Sequence, residues 1–346
     1  MKKNILILVF LLLSIPIVNF AFNLVEDIPS TEKDKEFTYS DFEIASPLKK
    51  IQMIEKVFES KFILRNWLIQ KYNYFVWFFL DSSPKRTVLK GIDDWIFIFL
   101  GKGLNGRDYS FDQLDFLQYS EGIQKIANIC SKNQIQFYAA IVPEKFTIYP
   151  EKIKPNDLLS IKKDKYYKFA DELKNKPLNV IFFHDLLLDK KETSDVYYKT
   201  DTHWNSVGGF VASNKILSIM ATKFKEISPY REDEFSIQKL NTNGRDIGEY
   251  LSLSQYLNDT DYVYFPRFNE SLRRKNLKIL VIHDSYFYAM IDFFKYQFEN
   301  VESWNFVQNE NPVDFDKFLS QKPDIVLFIL LERHIGNYDK RVFGHL

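Results

Sequence analysis

The sequence predicts an α/β fold with a central, mostly parallel sheet and helices packed on it, beginning near Val88. Two observations carry this. From Val88 onward, short apolar runs alternate with longer segments at helical spacing, as they do in helix-covered parallel sheets. Three of the runs, Ile135–Val142, Leu277–Ile282 (LKILVI) and Asp324–Leu331 (DIVLFILL), are almost wholly apolar, the pattern of buried strands. At 346 residues and 46% hydrophobic, the chain can bury a large core. The 46 basic and 46 acidic residues cancel, so no net field steers it to nucleic acid, which is not an expected partner. Aromatic residues make up 17% of the chain, enough to fill a core and still offer Tyr and Trp for stacking on sugar rings. The lone Cys130 excludes an internal disulfide or a cysteine metal site and is expected to be buried and inert.

Taken in order, Met1-Lys2-Lys3 precedes an apolar run from Ile5 to Phe22, and acidic Glu26 and Asp27 follow it. Basic before and acidic after directs the remainder out of the cytoplasm. The run approaches the ~20 residues that span a bilayer, and Asn19-Phe20-Ala21 is a poor cleavage site, which favours an uncleaved anchor over a cleaved signal peptide in residues 1–24. Residues 25–87 read as a polar linker, Pro29 to Pro47, followed by an amphipathic helical segment, Lys49 to Leu80, lying on the body or on a membrane surface.

The body, residues 88–346, opens with an aromatic strand or hairpin at Gly91–Leu100 and a helix at Phe111–Lys132. The strand Ile135–Val142 is ended by Pro143, which places Glu144, Lys145 and Tyr149 at its C-terminal edge, where open α/β sheets hold their ligands. A helix at Asp164–Asn175 and a strand at Leu178–Phe183 follow. Asn205 or Ser206 caps a helix running to about Phe224, and its Gly208-Gly209 pair points to a close helix-to-sheet contact. Arg231–Arg274 is the least periodic stretch and reads as a long surface excursion, either a substrate wall or a tolerated insertion. Trp304–Val307 is a candidate strand and Val313–Gln321 a candidate helix.

Chemistry concentrates at two places. Asp201-Thr202-His203-Trp204 sets a carboxylate and an imidazole two residues apart, and the helix N-terminus that follows should disfavour imidazolium and keep His203 neutral. His283-Asp284-Ser285 lies between a strand and Tyr286–Phe298, which resumes at helical spacing. A strand-to-helix turn of this kind raises a serine above the sheet edge with backbone N–H groups aimed at a developing oxyanion. A serine needs a base, and the base a partner that fixes its tautomer. Ser285, His203 and Asp201 supply nucleophile, base and orienting acid. His283 competes as the base, but side chains two apart in a tight turn rarely aim at one point. His184 with Asp185 reads as a structural turn, and His334 and His345 have no obvious partner. A metal site could draw on Asp201, His203, His283 and Asp284 but lacks a tight ligand spacing, so neither metal nor cofactor is expected. Arg333 pairs with Glu332 or a loop acid, or else touches substrate.

Five segments together give a resemblance: GIDDWIF at Gly91–Phe97, VPEKFTIYPEKI at Val142–Ile153, TDTHWNSVGG at Thr200–Gly209, VIHDSYF at Val281–Phe287 and LLER at Leu330–Arg333. Their order and spacing resemble the SGNH-hydrolase-like domains of bacterial polysaccharide O-acetyltransferases of the alginate-acetylation AlgJ and AlgX type, and DHHW-type proteins are similar around the Asp-x-His. The resemblance implies a three-layer fold, with Asp201 and His203 matching the family's Asp-x-His pair and Ser285 its nucleophile. It also implies an extracytoplasmic enzyme that accepts an acetyl group, often relayed from a membrane-bound acyltransferase, and places it on a polysaccharide hydroxyl. Substrate contacts would come from Lys145, Tyr149, Trp204, Tyr286 and Arg333. The chain departs from the pattern in carrying His283 where a glycine often stands, and in lacking the sequence blocks that supply further oxyanion donors. A carbohydrate acetylesterase is the nearest alternative, and a non-catalytic assembly or binding component of an exopolysaccharide secretion complex is the alternative from another class.

Overall fold

A computed structural model of the chain describes residues 39–44, 46–53, 63–99, 113–158, 165–309, 311–335 and 339–344. The apolar run at Ile5–Phe22, the linker up to residue 38 and His345 lie outside them. Among the described residues no helix is long and apolar enough to cross a membrane.

A helix, α1 (Ile63–Phe78), leads into an antiparallel pair, β1 (Val88–Lys90) and β2 (Ile96–Ile98). This is the expected hairpin, begun three residues earlier; Asp93 and Asp94 turn it at φ of 54° and 65°, a left-handed conformation that a short acidic side chain tolerates. The core sheet then assembles from β3 (Gln136–Val142) and β4 (Val180–Phe182), with α2 (Gln113–Lys132) before β3 and α3 (Lys165–Lys174) between the two strands. After β4 come α4 (His184–Lys191) and α5 (Ser206–Met220). His184 therefore opens a helix, where a structural turn was expected.

Arg231–Arg274 is not an irregular excursion. It forms two nine-residue strands, β5 (Phe235–Asn243) and β6 (Asn258–Pro266), paired antiparallel around a tip that carries α6 (Asp246–Tyr250). Its periodicity was hidden because β5 is exposed at nearly every position and needs no apolar alternation, while β6 packs against the core through Tyr262 and Tyr264. The chain closes with β7 (Lys275–His283), α7 (Ile291–Lys295), β8 (Phe298–Asn305), α8 (Phe315–Ser320) and β9 (Ile325–Leu331). Where a continuous helix was expected over Tyr286–Phe298 there is a 3-10 turn, Ser285–Ala289, before the short α7.

The sheet order is β4-β3-β9-β7-β8, with every neighbouring pair parallel. Alternation of side chains across the strands sorts the core into two layers. Ala140 and Val142 of β3 face α5 and α7, while Ala139 and Ile141 face α2 and α3. The result is the expected three-layer α/β/α arrangement. Because β9 lies between β3 and β7, the C-terminal ends of these three strands, drawn from distant parts of the sequence, converge on one edge.

The Gly208-Gly209 contact lies elsewhere than expected. A Cβ on Gly208 would collide with the carbonyl of Val196, and one on Gly209 would meet the backbone oxygen of Ala289 and come within 2.8 Å of its Cβ. Gly209 seats α5 against the turn that follows Ser285 and Gly208 seats it against the Val196–Trp204 loop, neither against the sheet. Gly209→Ala is expected to lower stability by ~1–3 kcal/mol through overpacking, even though alanine is the better helix former; urea denaturation midpoints check this, and a stabilised variant would contradict the contact.

Candidate active site

Ser285 opens the turn that leaves the C-terminal end of β7. Asp284, fully buried, shapes that turn: one oxygen accepts from the Tyr286 N–H at 3.0 Å, the other from the Leu331 N–H at 2.7 Å and lies 3.1 Å from His334 Nδ1. One carboxylate thus ties the nucleophile turn to the end of β9. Burial pushes this carboxyl up, but the hydrogen bond and charge of His334 and the two backbone donors more than reverse it, leaving it below the usual carboxylate range. His334, expected to lack a partner, is therefore part of the construction.

His203 arrives on the loop before α5. Asn205 caps the helix, its side chain accepting from Val207 N–H at 3.0 Å and Gly208 N–H at 3.1 Å, and a bridge between Tyr197 and Trp204 closes the loop. Inside it, Asp201 Oδ1 accepts from the His203 backbone N–H at 3.0 Å and lies 2.6 Å from His203 Nδ1. His203 Nε2 lies 2.7 Å from Ser285 Oγ. An Nδ1–H donated to Asp201 leaves Nε2 as an acceptor for the serine proton. His283, the competing base, turns away: its Nδ1 lies 2.5 Å from the Asp284 backbone oxygen.

Lys145, Tyr149 and Trp204, expected as substrate contacts, are buried instead. The Lys145 ammonium donates to the carbonyls of Tyr198 (2.9 Å), Lys199 (2.8 Å) and Asp201 (2.9 Å) beneath the rings of Trp95 and Phe97. It gathers the loop that carries Asp201. Burial lowers its pKa to about 8, against the raising charges of Asp259, Asp201 and Asp246. Tyr149 accepts from the Val196 N–H at 2.9 Å. Trp204 donates its indole N–H to the Tyr286 carbonyl at 2.9 Å, and Tyr286 donates its hydroxyl to the Thr202 carbonyl at 2.5 Å. Arg333 does find a loop acid, Glu144, through Nε at 2.5 Å and a terminal nitrogen at 2.7 Å.

Sequence reasoning missed Arg245 and Asp246, at the tip of the ribbon. Arg245 Nε donates to Asp201 Oδ2 at 3.2 Å, with its guanidinium 3.9 Å above the Tyr198 ring centre. Asp246 accepts from Thr202 N–H at 2.9 Å and Thr202 Oγ–H at 2.7 Å, and its Oδ2 lies 3.7 Å from His203 Nδ1. The available signal was the charged pair in Asn243-Gly244-Arg245-Asp246, set between glycines in an otherwise irregular stretch. Burial works against imidazolium at His203, but the Asp201 hydrogen bond and the charges of Asp201 and Asp246 outweigh it and raise the pKa above the usual 6.5. This corrects the expectation that the following helix keeps the ring neutral. Burial and the Asp201 charge raise the Asp246 carboxyl to about 6.

Asp201, His203 and Asp246 each bring a possible ligand atom within 4.8 Å of the others, but these atoms are engaged with one another, Thr202 and Arg245. The four residues weighed as a metal set from sequence are not brought together, since Asp284 and His283 are committed to β9 and to the turn. A cleft of about 350 Å³ opens over Ser285 and His203, lined also by Ile98, Ile247, Tyr250, Tyr286, Arg333 and His334. The ribbon therefore does form a wall. A larger recess, about 820 Å³, lies at the opposite edge of the sheet among residues such as Gln136, Asn179 and Asp324; no serine and base meet there.

Residues 88–278, more than half of the chain, match the family described as the SGNH hydrolase-like domain, acetyltransferase AlgX. The chain belongs to this family. The family match spans the Asp201–His203 loop and ends before Ser285, so the pairing of Ser285 with His203 rests on geometry. Among curated proteins, the chain is 29% identical over 154 residues to a probable alginate O-acetylase AlgJ of Pseudomonas syringae pv. tomato, covering 42% of this chain but only 36% of the relative. Among solved structures, Bacillus cereus PatB1 superposes with a TM-score of 0.59 at 14% identity, over 74% of this chain and 99% of that one. The O-acetyltransferase domain of Pseudomonas putida AlgJ follows at 0.50 and 16%, over 72% and 92%, and a DHHW family protein of Eubacterium siraeum at 0.51 and 13%, over 66% and 89%. At these identities the structures share the fold.

The raised His203 pKa has a kinetic consequence. A general base works only when neutral, so labelling of Ser285 by a serine-reactive phosphonate is expected to fall as pH drops through a midpoint above 6.5. Asp246→Asn removes one charge that raises this midpoint and is expected to move it down. Rate-versus-pH profiles of the two proteins check this, and coincident midpoints would contradict it.

Proposed function

We propose that the protein is an extracytoplasmic O-acetyltransferase that moves an acetyl group onto a polysaccharide hydroxyl by way of an acetyl-Ser285 intermediate. The observation that carries this reading is the 2.7 Å contact of His203 Nε2 with Ser285 Oγ, continued through His203 Nδ1 to Asp201 at 2.6 Å. Family membership supplies the reaction class.

In the first half-reaction His203 takes the Ser285 proton while Oγ attacks the donor's acetyl carbonyl. The new C–O bond forms, negative charge gathers on the former carbonyl oxygen, and the Ser285 N–H, at the head of the turn where no intrahelical partner exists, faces it as a donor. Collapse breaks the bond to the leaving group, which receives the proton from His203. In the second half an acceptor hydroxyl gives its proton to His203 and attacks the acetyl-serine; Ser285 recovers a proton as the ester is released. Asp201 stays ionised and steadies the imidazolium each time. Burial would raise its carboxyl, but the hydrogen bond and charge of His203 hold it well below the usual carboxylate range.

The Ile5–Phe22 run is read as an uncleaved anchor that places the domain outside the cytoplasm, with a membrane-bound acyltransferase as the acetyl relay. Tyr286 and Arg333, both lining the cleft, remain the candidate contacts for the reacting groups. Transfer requires the acceptor to outcompete water. A serine-reactive phosphonate should label the wild-type protein and leave Ser285→Ala unlabelled. With a model acetyl ester, acetyl should then appear on an added oligosaccharide in preference to free acetate; acetate release indifferent to acceptor would assign the protein as an esterase. No release in either assay, with labelling absent, would favour the non-catalytic alternative.

A further inference from the structure

Helix α1 and the residue after it carry large apolar side chains on the outward side as well as on the inward one. Leu68, Tyr72, Phe75 and Phe79 fall within an arc of about 60° at 3.6 residues per turn, and all face solvent, Tyr72 at 61% and Phe79 at 69% exposure. Phe75 and Phe79 stack with ring centres 5.5 Å apart. The side turned to the protein buries Val76 and Trp77 together with polar Gln70 and Asn73; Asn73, 4% exposed, donates its amide to the Leu251 carbonyl at 2.7 Å. A helix serving only the domain's own core would carry polar residues on its outward side. Four large apolar side chains in one exposed stripe mark a surface that another phase or partner covers.

We propose that this stripe is a lipid-docking face that seats the domain on an anionic bilayer surface, a contact separate from the N-terminal anchor. The side chains are of the type that settle at the headgroup boundary, aromatic rings beside a leucine. The border is basic: Lys71 follows Leu68 on the exposed side of α1, and just past the helix Asp81 is shared between Lys90 at 2.9 Å and Lys154 at 2.7 Å, leaving a surplus of positive charge. Continuity along the chain favours lipid over a protein partner. The inference rests here on the anchor reading: roughly 45 residues separate Phe22 from Leu68, a reach of up to ~150 Å if extended, so a tethered domain meets the bilayer at high effective concentration.

Docking would also orient the site. Trp77 of α1 packs in one cluster with Ile247, Leu251, Leu253 and Leu257, and Ile247 and Tyr250 of the same segment line the cleft over Ser285. The surface and the cleft thus share one loop, which sets the mouth of the site beside the interface from which a membrane-borne acetyl donor emerges.

The test uses the full chain in vesicles of phosphatidylcholine with phosphatidylglycerol, and in amphipol without a bilayer. Phe75→Cys and Phe79→Cys each carry an environment-sensitive fluorophore, with exposed Glu226→Cys as the control, two residues past Phe224 of the recess at the opposite edge of the sheet. Native Cys130 does not compete, being buried with its thiol pushed up to about 12. A quencher on the lipid chains is expected to act on labels at 75 and 79 at least about threefold more than at 226, and iodide in water to be excluded from them only in vesicles. Free access of iodide at 75 and 79 in vesicles would overturn the proposal. So would shielding from iodide without lipid quenching, the signature of cover by protein. The readout does not depend on turnover, so an inactive protein that still shows lipid quenching would refute the acetyl-transfer reading and leave docking standing.

Discussion

The site depends on a reciprocal staple between two loops 82 residues apart. Trp204 donates to the Tyr286 carbonyl, and Tyr286 donates back to the Thr202 carbonyl. Each ring is almost wholly buried, so each hydrogen bond closes a polar group that would otherwise be stranded in the core, at a cost of about 1–3 kcal/mol. Together they fix the register of the His203 loop against the Ser285 turn. Lys145 then gathers the loop from below through three carbonyls, and Asp284 ties the turn to β9 from the other side. The His203–Ser285 distance is an outcome of these contacts more than of the residues that carry the chemistry.

The electrostatics follow from which charges are nearest. The helix after His203 was expected to repel a proton, but Asn205 stands between them and its side chain already accepts two of the first helical N–H groups. The positive end of α5 is largely spent on its own cap. Asp201 at 2.6 Å and, once ionised, Asp246 at 3.7 Å are closer to Nδ1 and carry full charges. They make His203 a stronger base and a less available one at low pH, and Arg245 keeps Asp201 from turning away. Thr202 holds Asp246 near without letting it replace Asp201.

Much of this was legible in the sequence, and the limits have physical causes. The strands β3, β7 and β9 announced themselves because burial on both faces demands unbroken apolar runs. The partnership of Asp201, His203 and Ser285 could be read from chemistry, since a serine on a strand-to-helix turn needs a base and this chain has few histidines. The ribbon β5–β6 could not be read, because β5, exposed along nearly its whole length, leaves no period, and with it went Arg245 and Asp246. Lys145, Tyr149 and Trp204 were placed at the right edge of the sheet and given the wrong task. Position at a sheet edge does not say whether a side chain points into a cleft or beneath it, and a lysine that finds three carbonyls is legible only when the loop is in place. His283 does not spoil the turn, since its ring folds back onto the Asp284 carbonyl and packs beside Phe287.

The central claim is that Ser285 carries the acetyl group between donor and acceptor, and peptide mapping by mass spectrometry after a brief pulse of an activated acetyl ester tests it most directly. The account predicts one acetyl group on the peptide containing Ser285, lost on adding an oligosaccharide acceptor with matching gain of acetylated sugar, and absent from His203→Ala. An unmodified Ser285 peptide while acetyl still reaches the acceptor, or an acetyl group seated on another residue and discharged at the same rate, would contradict it.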